Sequence, residues 1–213
     1  ENMPQSAHPM DVLRTGTSFL GTLESEGEDG RTAASVGDRL TASFGSMLAY
    51  WYRFHSRNER IETDSDEDTV AGHFLSLMSG MPSDPLKRDA LDKTLILYAE
   101  HEFNASTFSA RVITSTLSDT YSAVTGAIGA LRGPLHGGAN EAAMELVSSF
   151  DSPQDAEKSV MHMLKARRLI MGFGHRVYKN GDPRSPIVKD LAQQLSEAAK
   201  NTSFYDISDR IEA

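Results

Sequence analysis

Along most of the chain, apolar side chains recur three or four positions apart, the spacing of one face of an α-helix. Pro9 suits a first turn, and the pattern predicts a helix from there to about Leu20. A longer run, TAASVGDRLTASFGSMLAYWYRF, reads as one helix. The acidic loop ETDSDEDT follows, with Asp66 or Asp68 as the expected cap of TVAGHFLSLMSG, which Gly80 and Pro82 end. Pro85 opens a helix through LDKTLILYAEHEF, then come STFSARVITSTLS and DTYSAVTGAIGALR, the last stopped by Gly133-Pro134. NEAAMELVSSF takes Asn140 as cap, and SPQDAEKSVMHMLKARR opens on a capping box of Ser152 and Asp155 with Pro153 in the first turn. Ser185-Pro186 starts a helix to about Lys200, and SFYDISDRIEA begins another. No segment shows convincing strand alternation, so the fold class is all-α.

Composition narrows the function classes. The 213 residues suffice for one large domain or two small ones, and 39% hydrophobic with 24% charged residues is an ordinary globular balance. A net charge of −9 argues against a nucleic-acid partner, which wants a basic face. No apolar run approaches a membrane span, and no signal peptide is visible. With no cysteine, disulfides, cysteine-ligated zinc and thiol nucleophiles are excluded. A cytoplasmic location fits, or a mitochondrial matrix in a eukaryote. Both ends read as cut, which predicts an internal piece of a longer protein.

Seven histidines are present. His8, His55, His73 and His162 lie in or near helices without polar company and read as structural. The other three differ. His101 sits in YAEHEFNAST, where a helix gives way to small polar residues. His136 sits in RGPLHGGANE, among glycines. Those glycines fit either a tight helix–helix turn or a loop that brings backbone and one imidazole against a ligand. Gly126, Gly129 and Gly133 share a helix face, which predicts close helix packing. His175 lies in LIMGFGHRVYKNGDPRS, where Arg167, Arg168, Arg176, Lys179 and Arg184 face one acid, Asp182. Cations in a glycine-rich loop suit a phosphorylated or multiply carboxylated ligand. Zincin, dinucleotide and P-loop patterns do not fit these stretches, and no metal site is expected. Loop histidines, exposed backbone and a basic loop suggest carbonyl chemistry on anions.

HEFNAST, GPLHGGANEA and GFGHRVYKNGDPRS, in this order and spacing, closely resemble the citrate synthase family, and the similarity runs along the whole chain. The resemblance implies an all-α homodimer whose large and small domains close over the substrates. Here residues 1–138 would be the C-terminal part of the large domain and 139–213 an incomplete small domain. It implies an acyltransferase that condenses an acyl-CoA with oxaloacetate and hydrolyses the thioester, with no permanently bound cofactor. By motif, His101 would bind oxaloacetate, His136 would stabilise the enol of the acyl-CoA, and His175 would hold and protonate the oxaloacetate carbonyl. Arg184 would pair with an oxaloacetate carboxylate. The backbone of Arg168, Leu169, Ile170, Met171 and Gly172 would lie along CoA, with Lys179 near a CoA phosphate. Tyr98, on the helical face of His101, could line the acyl pocket.

The family's general base is an aspartate in a motif beyond residue 213, and Asp206 and Asp209 do not match it, so the 213 residues alone are expected to be inactive. LAYWYRFHSRNERIETDSDEDTVAGHFL and LYAEHEFNASTFSARVI resemble the 2-methylcitrate synthases of the family more than its citrate synthases. That favours propionyl-CoA over acetyl-CoA. A non-catalytic CoA-binding helical module is the alternative of another class.

Overall fold

The computed structural model describes residues 1–100, 103–173, 178 and 181–213. Among the described residues there are ten α-helices, one short 3-10 turn (Glu28–Gly30) and no strand. None of these helices is long and apolar enough to cross a membrane. The chain divides into two compact units, Glu1–Arg132 and Gly133–Ala213.

The first unit holds α1 (Pro9–Leu23), α2 (Ala33–Arg57), α3 (Val70–Ser79), α4 (Pro85–Tyr98), α5 (Ala105–Thr114) and α6 (Thr120–Leu131). Its helices begin where a side-chain acceptor meets an unpaired N–H of the first turn. Asp84, Asn104 and Asp119 cap α4, α5 and α6. Thr32 and Ser35 form a reciprocal capping box on α2 that the sequence reading passed over. Leu20, Val36, Leu40 and Tyr121 form a buried cluster, with Phe44, Met47 and Val124 packed against it. Tyr121 is 2% exposed, and it fits because Gly21 has no side chain. A Cβ there would stand 2.8 Å from Tyr121 Cβ and 2.9 Å from Cγ. Gly126 makes the same kind of room for the Ile113 side chain of α5, so it serves close helix packing.

Several local expectations need correction. The cap of α3 is Thr69, not Asp66 or Asp68: its hydroxyl accepts from Gly72 N at 2.9 Å, in the position directly before the first helical residue. The acidic loop is held by other bonds. Glu67 accepts from Ser83 N and Oγ, which lowers its carboxyl from the ordinary value. His73 has polar company after all, with Ser46 Oγ 2.9 Å from Nε2 and Ser65 Oγ 2.8 Å from Nδ1. His8 caps α1, accepting from Met10 N through Nδ1 at 3.1 Å. At His55, Nε2 is buried with no hydrogen-bond partner among the described residues, and the ring lies beside those of Trp51 and Phe54.

The second unit holds α7 (Gly138–Ser148), α8 (Pro153–Lys165), α9 (Ser185–Ala198) and α10 (Ser203–Glu212). Val147, Ala156 and Ile207 are its buried cluster, with Phe150, Phe173 and Ile211 against it. Helix α10 touches α7, α8 and α9 and is pinned at its edges. Arg210 donates to Glu157 at 2.7 Å, and Lys189 pairs with Asp209 and Glu212. Asn140 is not the cap of α7. The helix starts earlier because Gly137 already has helical angles (φ −63°, ψ −29°), which leaves Asn140 inside the first turn. Ser152 caps α8, its hydroxyl accepting from Asp155 N at 3.2 Å.

Two glycines should respond oppositely to alanine. Gly21→Ala is expected to lower the denaturation midpoint, because overpacking against Tyr121 costs about 1–3 kcal/mol, more than the helix propensity gained. Gly37→Ala, inside α2 with no described neighbour within 4 Å of a new Cβ, should raise it, by up to about 1 kcal/mol of stability. Denaturant titration of the two variants beside the parent checks both signs.

Candidate active site

The described candidate residues lie at helix ends or in the turns between helices. Tyr98 is the last residue of α4 and 53% exposed. His101 lies outside the described residues. The chain just beyond is anchored by Asn104, whose Oδ1 accepts from Thr107 N at 2.9 Å and Ser106 Oγ at 2.7 Å. Phe103 is exposed, and the Arg111 guanidinium stands 4.9 Å from its ring centroid, a cation–π contact that the sequence reading missed. Phe103 precedes α5, so helical spacing gave no signal for it.

His136 sits in a compact turn that runs straight into α7. His136 N and Gly138 N both donate to Gly133 O, at 2.9 and 3.2 Å, and Ala139 N donates to His136 O at 3.1 Å. The imidazole is half-buried. Positions 137 and 138, on the helix side of His136, are glycines and carry no side chain.

Beyond α8 the chain turns by a Schellman arrangement: Arg167 N donates to Leu164 O at 3.0 Å and Arg168 N to Met163 O at 2.9 Å. The left-handed position is held by Arg167 (φ +54°), where glycine is usual. A second turn follows, with Phe173 N donating to Ile170 O at 3.4 Å and Gly172 at its third position (φ +84°). A Cβ on Gly172 would collide with Ala143 of α7, so the 168–172 segment lies close against α7. Phe173 then enters the core of the unit. Leu169 remains 74% exposed.

His175 and Lys179 lie outside the described residues. Arg184 occupies the position before α9, and Asp182 holds it. Arg184 Nε lies 3.0 Å from Asp182 Oδ1 and Nη2 lies 2.6 Å from Oδ2, a two-pronged ion pair. Within the second unit, then, the structure brings the 168–172 segment to α7, the helix that the His136 turn begins. Tyr98 belongs to the first unit.

All 213 residues match the family described as citrate synthase, C-terminal domain. The chain belongs to the citrate synthase family. A 2-methylcitrate synthase of Shewanella oneidensis is 50% identical over 213 residues, all of this chain and 56% of that protein. Citrate synthase 2 of Bacillus subtilis is 42% identical over 98% of this chain and 56% of its own length. The chain thus spans about half the length of the curated relatives it matches. Among solved structures, citrate synthase of Thermoplasma acidophilum, in ternary complex with carboxymethyl coenzyme A and oxaloacetate, superposes with a TM-score of 0.86 at 32% identity. That match covers 99% of this chain and 56% of that one. Citrate synthase of Thermotoga maritima gives 0.81 at 36% identity, over 99% and 54%. The all-helical reading and the family resemblance are both upheld.

Gly172→Ala should destabilise the second unit by about 1–3 kcal/mol, combining a collision with a strained φ. Adding Ala143→Gly removes the collision. The double variant should therefore lose less stability than the two single changes summed, as read in a thermal double-mutant cycle.

Proposed function

We propose that the full-length protein condenses propionyl-CoA with oxaloacetate to 2-methylcitrate and CoA. The observation that carries the reading is the His136 turn: an imidazole followed by two glycines, fixed by backbone bonds at the start of α7. Family membership and the identity to the Shewanella protein support the reaction class.

In this reading a carboxylate base removes a proton from the propionyl α-carbon. His136 donates a hydrogen bond to the thioester oxygen as negative charge develops there, where a fixed donor stabilises most. The α-carbon of the enol then bonds to the keto carbon of oxaloacetate. That oxygen takes a proton from His175, and water cleaves the thioester to release CoA. His101 and Arg184 hold oxaloacetate, Arg184 through a carboxylate. The peptide groups of 168–172 run along CoA, Lys179 meets a phosphate, and Tyr98 borders the acyl group. Residues 1–138 act as part of the large domain and 139–213 as part of the small one, in a cytoplasmic homodimer.

A second reading, citrate synthase with acetyl-CoA, is favoured by the Bacillus subtilis relative. The two differ by one methylene, and a pocket separates such substrates by only about 10–200-fold. Side-by-side kinetics decide: kcat/KM should be higher with propionyl-CoA, by no more than that range. A preference for acetyl-CoA transfers the proposal to citrate synthase without moving the catalytic residues.

His136→Ala in the full-length enzyme should lower kcat by roughly 100- to 10,000-fold, the scale of a lost acid–base or oxyanion contact. The KM for oxaloacetate should change little. Turnover near normal removes His136 from the chemistry.

A further inference from the structure

In the first unit, His73 is held in a way that the condensation does not use. Serines and threonines inside a helix commonly turn back to the carbonyl four residues earlier, as Thr41, Ser43 and Ser56 do in α2. Ser46 instead reaches across to α3, where its Oγ stands 2.9 Å from His73 Nε2. Ser65, from the acidic loop, stands 2.8 Å from Nδ1 of the same ring. A neutral imidazole has one N–H and one lone pair, so the two serines play opposite parts. With the proton on Nδ1, His73 donates to Ser65 and Ser46 donates to Nε2. That is a hydroxyl on a base whose ring is oriented from its other side, the arrangement of an activated nucleophile.

Ser46 and His73 line a cavity of about 650 Å³ in the first unit, within the size range of small-molecule sites. Leu20, Met47 and Val70 give it apolar walls. Trp51 also lines it, and its Nε1 is buried with no hydrogen-bond partner among the described residues. Asp64 and Asp68 line the same space, and the lining cation Arg39 is held by Glu24 at 2.8 and 3.0 Å. That charge disfavours an anionic acyl donor, an acyl-CoA included, and admits a neutral one. We propose that Ser46, His73 and Ser65 form a second reactive site, which hydrolyses neutral carboxylic esters with short acyl chains. Ser46 Oγ bonds to the ester carbonyl carbon as its proton passes to His73 Nε2, and the Trp51 N–H meets the developing oxyanion. The bond from that carbon to the alkoxide breaks, the alkoxide takes the proton from Nε2, and the acyl group stays on Ser46. Water then attacks the acyl carbon, its proton passing to Nε2 and on to Ser46 Oγ as the acid leaves. Ser46 and His73 are the catalytic residues. Ser65 touches no substrate and positions the ring.

The full-length protein is tested with p-nitrophenyl butyrate as substrate and with a fluorophosphonate, which labels activated serines. The parent should release p-nitrophenol above the buffer rate and take the phosphonate on Ser46, as read by mass mapping of its peptides. Ser46→Ala should abolish both. His73→Gln removes the base and should lower ester hydrolysis about 100-fold or more. Ser65→Ala should lower its kcat about 10- to 100-fold and leave KM within about twofold, because the ring loses its orientation and no substrate contact is lost. Condensation of propionyl-CoA with oxaloacetate should stay within about twofold in all three variants, since the two sites share no residue. No hydrolysis above buffer in the parent, phosphonate on another serine alone, or unchanged hydrolysis in Ser46→Ala overturns the proposal. A fall in condensation equal to the fall in ester hydrolysis also overturns it, because a serine–histidine link that only supports the fold lowers both. If Ser46→Ala does not fold, the parent and Ser65→Ala decide: phosphonate on Ser46 that forms more slowly in Ser65→Ala upholds the proposal, and an unlabelled Ser46 overturns it.

Discussion

A helix leaves backbone groups unpaired at both ends, and something must bond them. The described candidate residues of this chain are all found where that requirement is met. Tyr98 closes α4, His136 lies in the turn that begins α7, 168–172 follow α8, and Arg184 precedes α9. The same hydrogen bonds that end or start each helix therefore set where the candidate side chains stand. Gly133 O takes two N–H groups of the His136 turn, and Met163 O takes the N–H of Arg168. A change that frays a helix end would move a candidate residue directly.

The loop after α8 shows how this local order is joined to the core. Arg167 accepts a left-handed conformation and Gly172 a second one, so the chain reverses within a few residues. Gly172 lies against Ala143, and Phe173 packs with Val147, Ala156 and Ile207. A segment that exposes Leu169 is thus tethered at one end by a helix cap and at the other by buried apolar contact. Such tethering leaves the 168–172 segment little conformational freedom to lose, which suits the CoA contact proposed for it.

Much of this was legible in the sequence because its signals are local. Period-3.6 patterning with prolines in first turns located the helices, and three motifs in order located the family. The failures are also local, and each has a cause. Asp66, Asp68 and Asn140 have capping side chains, but only the residue directly before the first turn can cap. Thr69 holds that place for α3, and Gly137 for α7. His73 looked apolar in its helix because its partners, Ser46 and Ser65, come from other segments. Asp182 was counted as the lone acid among cations, yet a charge count has no direction. Only the fold shows its carboxylate on the head group and the N–H of one arginine. The room that Gly21 makes for Tyr121, 100 positions away, is beyond any local pattern.

The role proposed for the His136 imidazole is to stabilise an enol of the acyl-CoA. Exchange of propionyl-CoA α-protons with deuterium oxide reads that step without the later ones, in the full-length protein with a non-reacting dicarboxylate in place of oxaloacetate. Exchange should depend on His136 and fall by about 100-fold or more in His136→Ala, the loss expected for a missing oxyanion donor. Equal exchange in the parent and the variant would contradict it.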